Sequence, residues 1–186
     1  MILLLLLLVI TMIENSGSIE TLECKSIFVY GTLRPDDNSG APWTIEFKQD
    51  MVFKKCLFPN GILFYDSYPS VTIITKDNEQ DLNKIYKDNQ CRGIIGYCAT
   101  FNKNEGFGEK LSSADAIEEY PSLYNRSLVT VYPIDEENNV IQGEDSIQCH
   151  IYHRQNCNRD IVLSDGDWLN RLKYGINVDY QCNYFN

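Results

Sequence analysis

The run Ser26-Ile27-Phe28-Val29-Tyr30-Gly31-Thr32-Leu33-Arg34-Pro35 changes character abruptly in its middle. Ile27 to Tyr30 is apolar, β-branched and aromatic, the composition of a short buried strand. Gly31 interrupts it, since a residue without a Cβ adopts backbone angles closed to others. A strand that stops at a glycine leaves free backbone N–H groups at its tip. Such a nest of donors suits a carboxylate or a phosphate. The same residues also describe a strand followed by an ordinary turn, and a second stretch far downstream separates the two readings.

Around this run, 186 residues amount to one domain with enough apolar content for a core. Ile2 to Met12 is almost purely aliphatic, and Glu14-Asn15-Ser16-Gly17-Ser18 is a polar, small-residue end. About a dozen apolar residues are too few to cross a hydrocarbon layer roughly 30 Å thick as a helix. The pattern is that of a secretory signal peptide over residues 1–18, cut near Gly17 or Ser18, although Lys and Arg are missing from its start. A single domain is then expected over 19–186. No later segment is apolar enough to span a bilayer, so no stable membrane span is expected after cleavage. The expected destination is extracellular, or the lumen of the secretory pathway.

All seven cysteines (Cys24, Cys56, Cys91, Cys98, Cys149, Cys157 and Cys182) follow the leader, which fits an oxidising compartment. Three disulfides and one free thiol are the most that seven cysteines allow, and the connectivity cannot be read from spacing. No Cys-x-x-Cys pair occurs. His150 and His153 are the only histidines. Three apart on an expected strand, they point to opposite faces, so no metal site is expected. A net charge of −10 argues against nucleic acid, whose phosphates demand a basic surface. The acidity chiefly confers solubility.

Beyond Gly31, residues 34–41 read as loop, and Pro42 opens a short helix through Trp43, Ile45 and Phe47. Met51–Phe58 and Ile62–Tyr65 flank Pro59-Asn60-Gly61, a strong hairpin signal. Tyr68-Pro69-Ser70 reads as a further turn and Val71–Thr75 as a strand. Residues 76–90 are polar and charged, an exposed insertion with a helical turn or two. Arg92–Phe101 returns to strand composition, with Gly93 and Gly96 marking bulges or close approaches. Leu111–Tyr120 reads as a helix, begun by a capping box of Ser112 and Asp115 and stopped by Pro121. Arg126–Tyr132 and Ser146–Tyr152 form a second hairpin. Ile161–Leu163 and a short helix opened by Asp165-Gly166-Asp167-Trp168 complete the domain. The expected class is α+β: a small mixed β-barrel of six or seven strands with a few short flanking helices.

The second stretch is Ala114-Asp115-Ala116-Ile117-Glu118-Glu119-Tyr120-Pro121-Ser122-Leu123-Tyr124-Asn125-Arg126. Glu118 and Glu119 stand roughly 100° apart around a helix, so one of them follows Ile117 towards the interior or a cleft rim. By itself this is an acidic, solvated face. Taken together, the two stretches are more specific. Val29-Tyr30-Gly31-Thr32-Leu33-Arg34 resembles the signature strand-loop of the γ-glutamylcyclotransferase-like (AIG2-like) family. Glu118 to Arg126 resembles that family's Glu-x-x-Pro-x-x-Tyr-x-Arg segment, closest to the γ-glutamylamine cyclotransferase branch. Cys149-His150-Ile151-Tyr152 matches the late core strand, and Gly166-Asp167-Trp168 the terminal Gly-Asp-Trp. The four motifs run in register from about Ile27 to Lys173.

The resemblance implies a barrel whose cavity takes a small γ-glutamyl substrate, with Glu118 as the catalyst three residues before the proline. It implies Tyr30, Gly31, Thr32 and Leu33 as substrate-binding loop residues, with no cofactor and no metal. Tyr124 joins them as a pocket residue, its hydroxyl and that of Tyr30 expected to donate to a carboxylate or carbonyl. Arg126 is expected to anchor its strand. In the implied reaction the substrate's α-amine attacks its own γ-carbonyl, giving 5-oxoproline and a free amine. One glutamate serves as base and then as acid if its pKa is raised towards neutrality. Two departures stand out: Gly96 is followed by Tyr97 where the family usually carries Glu, and Asn125-Arg126-Ser127 is a glycosylation sequon. A secreted binding or structural protein on the same barrel, and a related amide hydrolase, are the alternative readings.

Overall fold

The computed structural model describes residues 24–101 and 106–178; the expected leader and Cys182 lie outside them. In chain order the strands are β1 (Ser26–Val29), β2 (Met51–Phe58), β3 (Gly61–Asp66), β4 (Tyr68–Ile73), β5 (Ile94–Phe101), β6 (Asn125–Pro133), β7 (Ile147–His153) and β8 (Ile161–Val162). The helices are α1 (Ile45–Lys48), entered through a 3-10 turn at Pro42–Thr44, then α2 (Glu79–Asp88), α3 (Phe107–Ile117) and a 3-10 helix at Trp168–Tyr174. Five strands close into a barrel in the order β1-β5-β2-β6-β7, while β4-β3-β8 form a separate three-stranded sheet. The class is therefore the expected α+β barrel. Its barrel has five strands rather than six or seven, because part of the strand-forming sequence goes to the second sheet.

β1 lies antiparallel to β5 and parallel to β7, with Phe28 opposite both Cys98 and Ile151. The pleat sends Phe28 inward, where it packs with Cys56, Phe58, Ile94, Cys98, Val131, Cys149 and Ile151. Ile27 and Val29 point outward and are covered by Phe47 of α1 and Ala114 of α3. Both faces of β1 are thus buried, which is why its sequence runs apolar without alternation. The small sheet shares the barrel's core through Leu63, Val71 and Leu163. On its other face Ile62 and Phe64 receive Leu82 of α2.

Several local expectations are corrected. Asn60-Gly61 joins two sheets and not two paired strands: β2 pairs with β5 and β6, β3 with β4 and β8. The hairpin is β3–β4, which reverses at Ser67 with φ 63°, and Tyr68-Pro69-Ser70 lies inside β4 and not in a turn. Pro69 is tolerated there because β4 is an edge strand and lacks a partner on one side. Residues 76–90 hold a ten-residue helix, docked through the fully buried Leu82. α3 begins at Phe107 behind Gly106 with φ 103°, so Ser112 and Asp115 are mid-helix residues and form no capping box. The second hairpin, β6–β7, pairs as expected.

No helix among the described residues is long and apolar enough to cross a membrane. The six described cysteines are free thiols, so the expected disulfides are not seen among them. The Cys149 thiol donates to the Cys98 sulfur at 3.2 Å inside the barrel.

Candidate active site

A cavity of about 880 Å³ opens at the end of the barrel where β1 gives way to its loop. That size is typical of a small-molecule site. Its lining brings together Tyr30, Gly31, Thr32, Leu33, Glu118 and Tyr124, the six residues singled out in the sequence.

The loop is built by a tight turn in which Arg34 N–H donates to the Gly31 carbonyl at 3.1 Å. Among the described residues, the N–H groups of Gly31, Thr32 and Leu33 are not engaged by any acceptor. Gly31 is required here for a different reason from the one expected. Its φ is not left-handed. Instead a Cβ at this position would overlap the Cγ of Pro69, where β4 crosses the loop. The glycine allows close approach and not an unusual backbone angle. Gly96 works likewise, with the Phe28 ring 2.8 Å from where its Cβ would stand.

Glu118 is the C-cap of α3, its own N–H still donating to the Ala114 carbonyl at 2.9 Å. The next residue leaves the helix with φ 49°, so Glu119 sits exposed on the cavity rim while Glu118 is half-buried. Both glutamates therefore border the cavity, contrary to the reading from helical angles, because the helix ends between them. Among the described residues the Glu118 carboxyl has neither an ion pair nor a hydrogen bond. Burial alone acts on it and pushes its pKa to about 8.

The two tyrosines stand otherwise than expected. Tyr30 donates its hydroxyl to the Tyr152 carbonyl at 2.7 Å, and Tyr124 donates to the Pro69 carbonyl at 2.9 Å. Each phenol proton is committed to the protein's own backbone, so neither is available to a ligand. Burial raises the Tyr30 phenol far above its ordinary range, and the nearby Tyr124 and Glu118 push it further. Tyr30 and Tyr124 thus act as rigid walls that tie β1, β4, β6 and β7 together.

Beneath α3, Asp115 takes a hydrogen bond from Tyr152 at 2.6 Å and a two-oxygen contact from Arg126 at 2.6 and 2.7 Å. Arg126 also covers the Tyr120 ring at 4.7 Å. Arg126 is therefore the structural anchor expected, and it holds the helix end that carries Glu118. His150 stacks on Phe107, while His153 is buried beside Ser127, both away from the cavity lining. Tyr97, standing where Glu was expected, donates to Asp36 at 3.0 Å.

Sequence reasoning missed Trp43, Tyr65, Tyr68, Pro69 and Tyr152 as lining residues. Tyr152 lies in a quoted motif, and its alternation with Ile151 carried the signal. Trp43, Tyr65 and Tyr68 come from segments read only as helix, strand and turn, with nothing local to bring them together.

The geometry can be set beside known proteins. The family model described as gamma-glutamyl cyclotransferase, AIG2-like, matches residues 27–170. The chain belongs to that family. Among solved structures it is similar to an AIG2-like protein from Mus musculus, at 17% identity and TM-score 0.51, covering 77% of this chain and 86% of the other. That likeness concerns the fold. An uncharacterized protein from Pyrococcus horikoshii aligns at 13% identity and TM-score 0.45, over 87% of this chain and 98% of its own. No curated protein matches the sequence. Membership of this gamma-glutamyl cyclotransferase family makes a cyclotransferase the general kind of activity, with a small molecule as its substrate.

Proposed function

We propose that the protein is a γ-glutamylamine or γ-glutamyl-peptide cyclotransferase, with Glu118 as its general acid and base. One observation carries this reading: a carboxyl with no partner among the described residues shares a small cavity with a row of backbone N–H groups that no described residue engages. Gly31, Thr32 and Leu33 would hold the substrate's α-carboxylate through those N–H groups. Its α-ammonium then stands by Glu118, whose ionised form it favours by opposite charge.

The carboxylate removes one proton from the ammonium, and the freed amine attacks the γ-carbonyl carbon, forming the ring C–N bond. The proton passes from Glu118 to the departing nitrogen as the original γ-C–N bond breaks, and the second proton of the ring nitrogen then passes through the same carboxylate to the released amine, which leaves as an ammonium. The products are 5-oxoproline and an amine, with no water consumed. Closing a ring inside one molecule depends on holding it folded, and well-oriented reactions gain roughly 7–11 kcal/mol in this way. Export of the protein, a mature domain over 19–186 and disulfides formed after export are further proposals that rest on the leader and cysteine pattern of the sequence alone.

The test is incubation with γ-glutamyl-ε-lysine followed by analysis of the products. 5-Oxoproline with free lysine is the expected outcome. Free glutamate would indicate an amide hydrolase, and neither product from this or any other γ-glutamylamine tried a binding protein; either overturns the proposal.

A further inference from the structure

Taking roughly 30 Å³ per non-hydrogen atom, as in liquid water, a glutamyl group of about ten such atoms fills about 300 Å³. The cavity holds about 880 Å³, so more than half of it remains for the leaving amine. Trp43 enters the lining from the 3-10 turn before α1, Tyr65 from the end of β3, and Tyr68 from the start of β4. Tyr65 is held in place by stacking on the buried Trp168, with ring centres 6.4 Å apart and planes 22° from parallel. The two charged groups among the described lining residues are Glu118 and Glu119, both acidic; Lys, Arg and His are absent from that lining. Among the described lining residues an anionic leaving group finds no opposite charge, whereas a flat apolar one has the rings of Trp43, Tyr65 and Tyr68 to pack on.

We propose that Trp43, Tyr65 and Tyr68 form a leaving-group subsite and that the amine released is an arylalkylamine, an aromatic ring on a short uncharged chain. This rests on the cyclotransferase reading. The reaction is otherwise the same: the γ-C–N bond to the arylalkylamine breaks as the ring bond forms, and the proton held by Glu118 goes to the departing nitrogen.

The experiment compares γ-glutamyl-phenethylamine with γ-glutamyl-ethylamine, which differ only in the ring, by the rate of 5-oxoproline release. The aromatic substrate is expected to have a kcat/KM at least about tenfold higher, the scale on which a filled apolar pocket discriminates. Trp43→Ala and Tyr68→Ala are each expected to shrink that ratio. The Tyr68 side chain, 44% exposed, is the substitution that tests the subsite without opening the core. A ratio of one or less in the unmodified protein, or a ratio unchanged by both substitutions, overturns the subsite while leaving the cyclotransferase intact. Absence of 5-oxoproline from both compounds removes the proposed function and the subsite together.

Discussion

Arg34 Nη1 and Asp167 Oδ1 lie 2.6 Å apart, joining residues 133 positions distant in the chain. Arg34 is 1% exposed, and its remaining donors grip Asp36 at 2.8 and 2.9 Å. Asp167 in turn accepts the Leu169 N–H and caps the terminal 3-10 helix. The first and last motifs of the sequence are therefore one object: the floor that fixes the loop from Gly31 to Leu33 against the end of the domain.

Asp167→Asn keeps an oxygen for the Leu169 cap and removes the charge facing Arg34. It is expected to lower stability by about 1–3 kcal/mol, the cost of a poorly satisfied buried group. Urea unfolding measures it, and Lys54→Ala, which breaks the exposed pair with Glu144, should leave the midpoint in place. Burial alone would raise the Asp36 pKa, but the hydrogen bonds and charge of Arg34 outweigh it and hold it below the usual carboxylate range. That contribution is present above the unfolded pKa and is lost as pH falls through the lower, folded one.

Glu118→Gln is expected to reduce 5-oxoproline formation by about 10²–10⁴-fold, the range for a lost general acid and base. In the unmodified protein kcat/KM should rise through about pH 8 as Glu118 ionises, then decline as the substrate's ammonium titrates. Rate–pH profiles on a γ-glutamylamine check both limbs. If Glu119→Gln abolishes turnover and Glu118→Gln does not, the catalytic assignment moves to the rim.

The same substitution has an opposite effect on folding. A carboxyl whose folded pKa is about 8 binds a proton that the unfolded chain releases near the ordinary glutamate value of 4.5, so stability from this group is complete below about 4.5 and declines as pH rises to about 8. Glu118→Gln should therefore be more stable than the unmodified protein at pH 9, by at most about 5 kcal/mol, and equal to it at pH 4. Thermal melts across that range decide it. A gain that is independent of pH would place the benefit elsewhere than in desolvation.

Gly31→Ala forces a methyl group onto Pro69. Overpacking of this kind costs about 1–3 kcal/mol and should also lower kcat/KM by moving the N–H groups of the loop. Pro69→Ala, which removes the Cγ in the way, is expected to restore part of both losses. The double variant, measured by melting and by product release, separates steric clash from any need for glycine's backbone freedom.

Asp115→Asn weakens the hold of Arg126 and Tyr152 on the helix end. Because Asp115 acts through Glu118's position, kcat/KM should fall by up to about 100-fold, as a small misplacement of a reacting group allows. The limb near pH 8 should stay where it is. A shift of that limb would mean that Asp115 tunes the titration of Glu118 and not its position.

Much of this was legible in the residues. β1 could be read because both its faces are buried and its apolar run is unbroken, whereas the helix stop left Glu118 and Glu119 open and only the family resemblance, through the spacing to Pro121, chose Glu118 between them. What escaped reading depended on contacts distant in the chain. Asn60-Gly61 has the chemistry of a hairpin, yet β2 pairs along its whole length with β5 and at Cys56 and Leu57 with β6, and tertiary pairing overrides the local turn. Tyr68-Pro69 looks like a turn until an edge position in a sheet accepts the proline. The start of α3 was displaced because Gly106, with no side-chain cap, takes the place that Ser112 seemed made for. The tyrosine hydroxyls could not be assigned at all, since their acceptors are main-chain carbonyls, and every residue has one.

The barrel of five strands is too narrow to enclose anything but its own side chains, Phe28, Cys98 and Cys149 among them. Recognition is consequently delegated to the rim, where the segments holding Trp43, Tyr65 and Tyr68 are separable from the staves beneath. A descendant of this chain could exchange one amine for another by altering three side chains and leave the load on the hydrogen-bonded cylinder untouched.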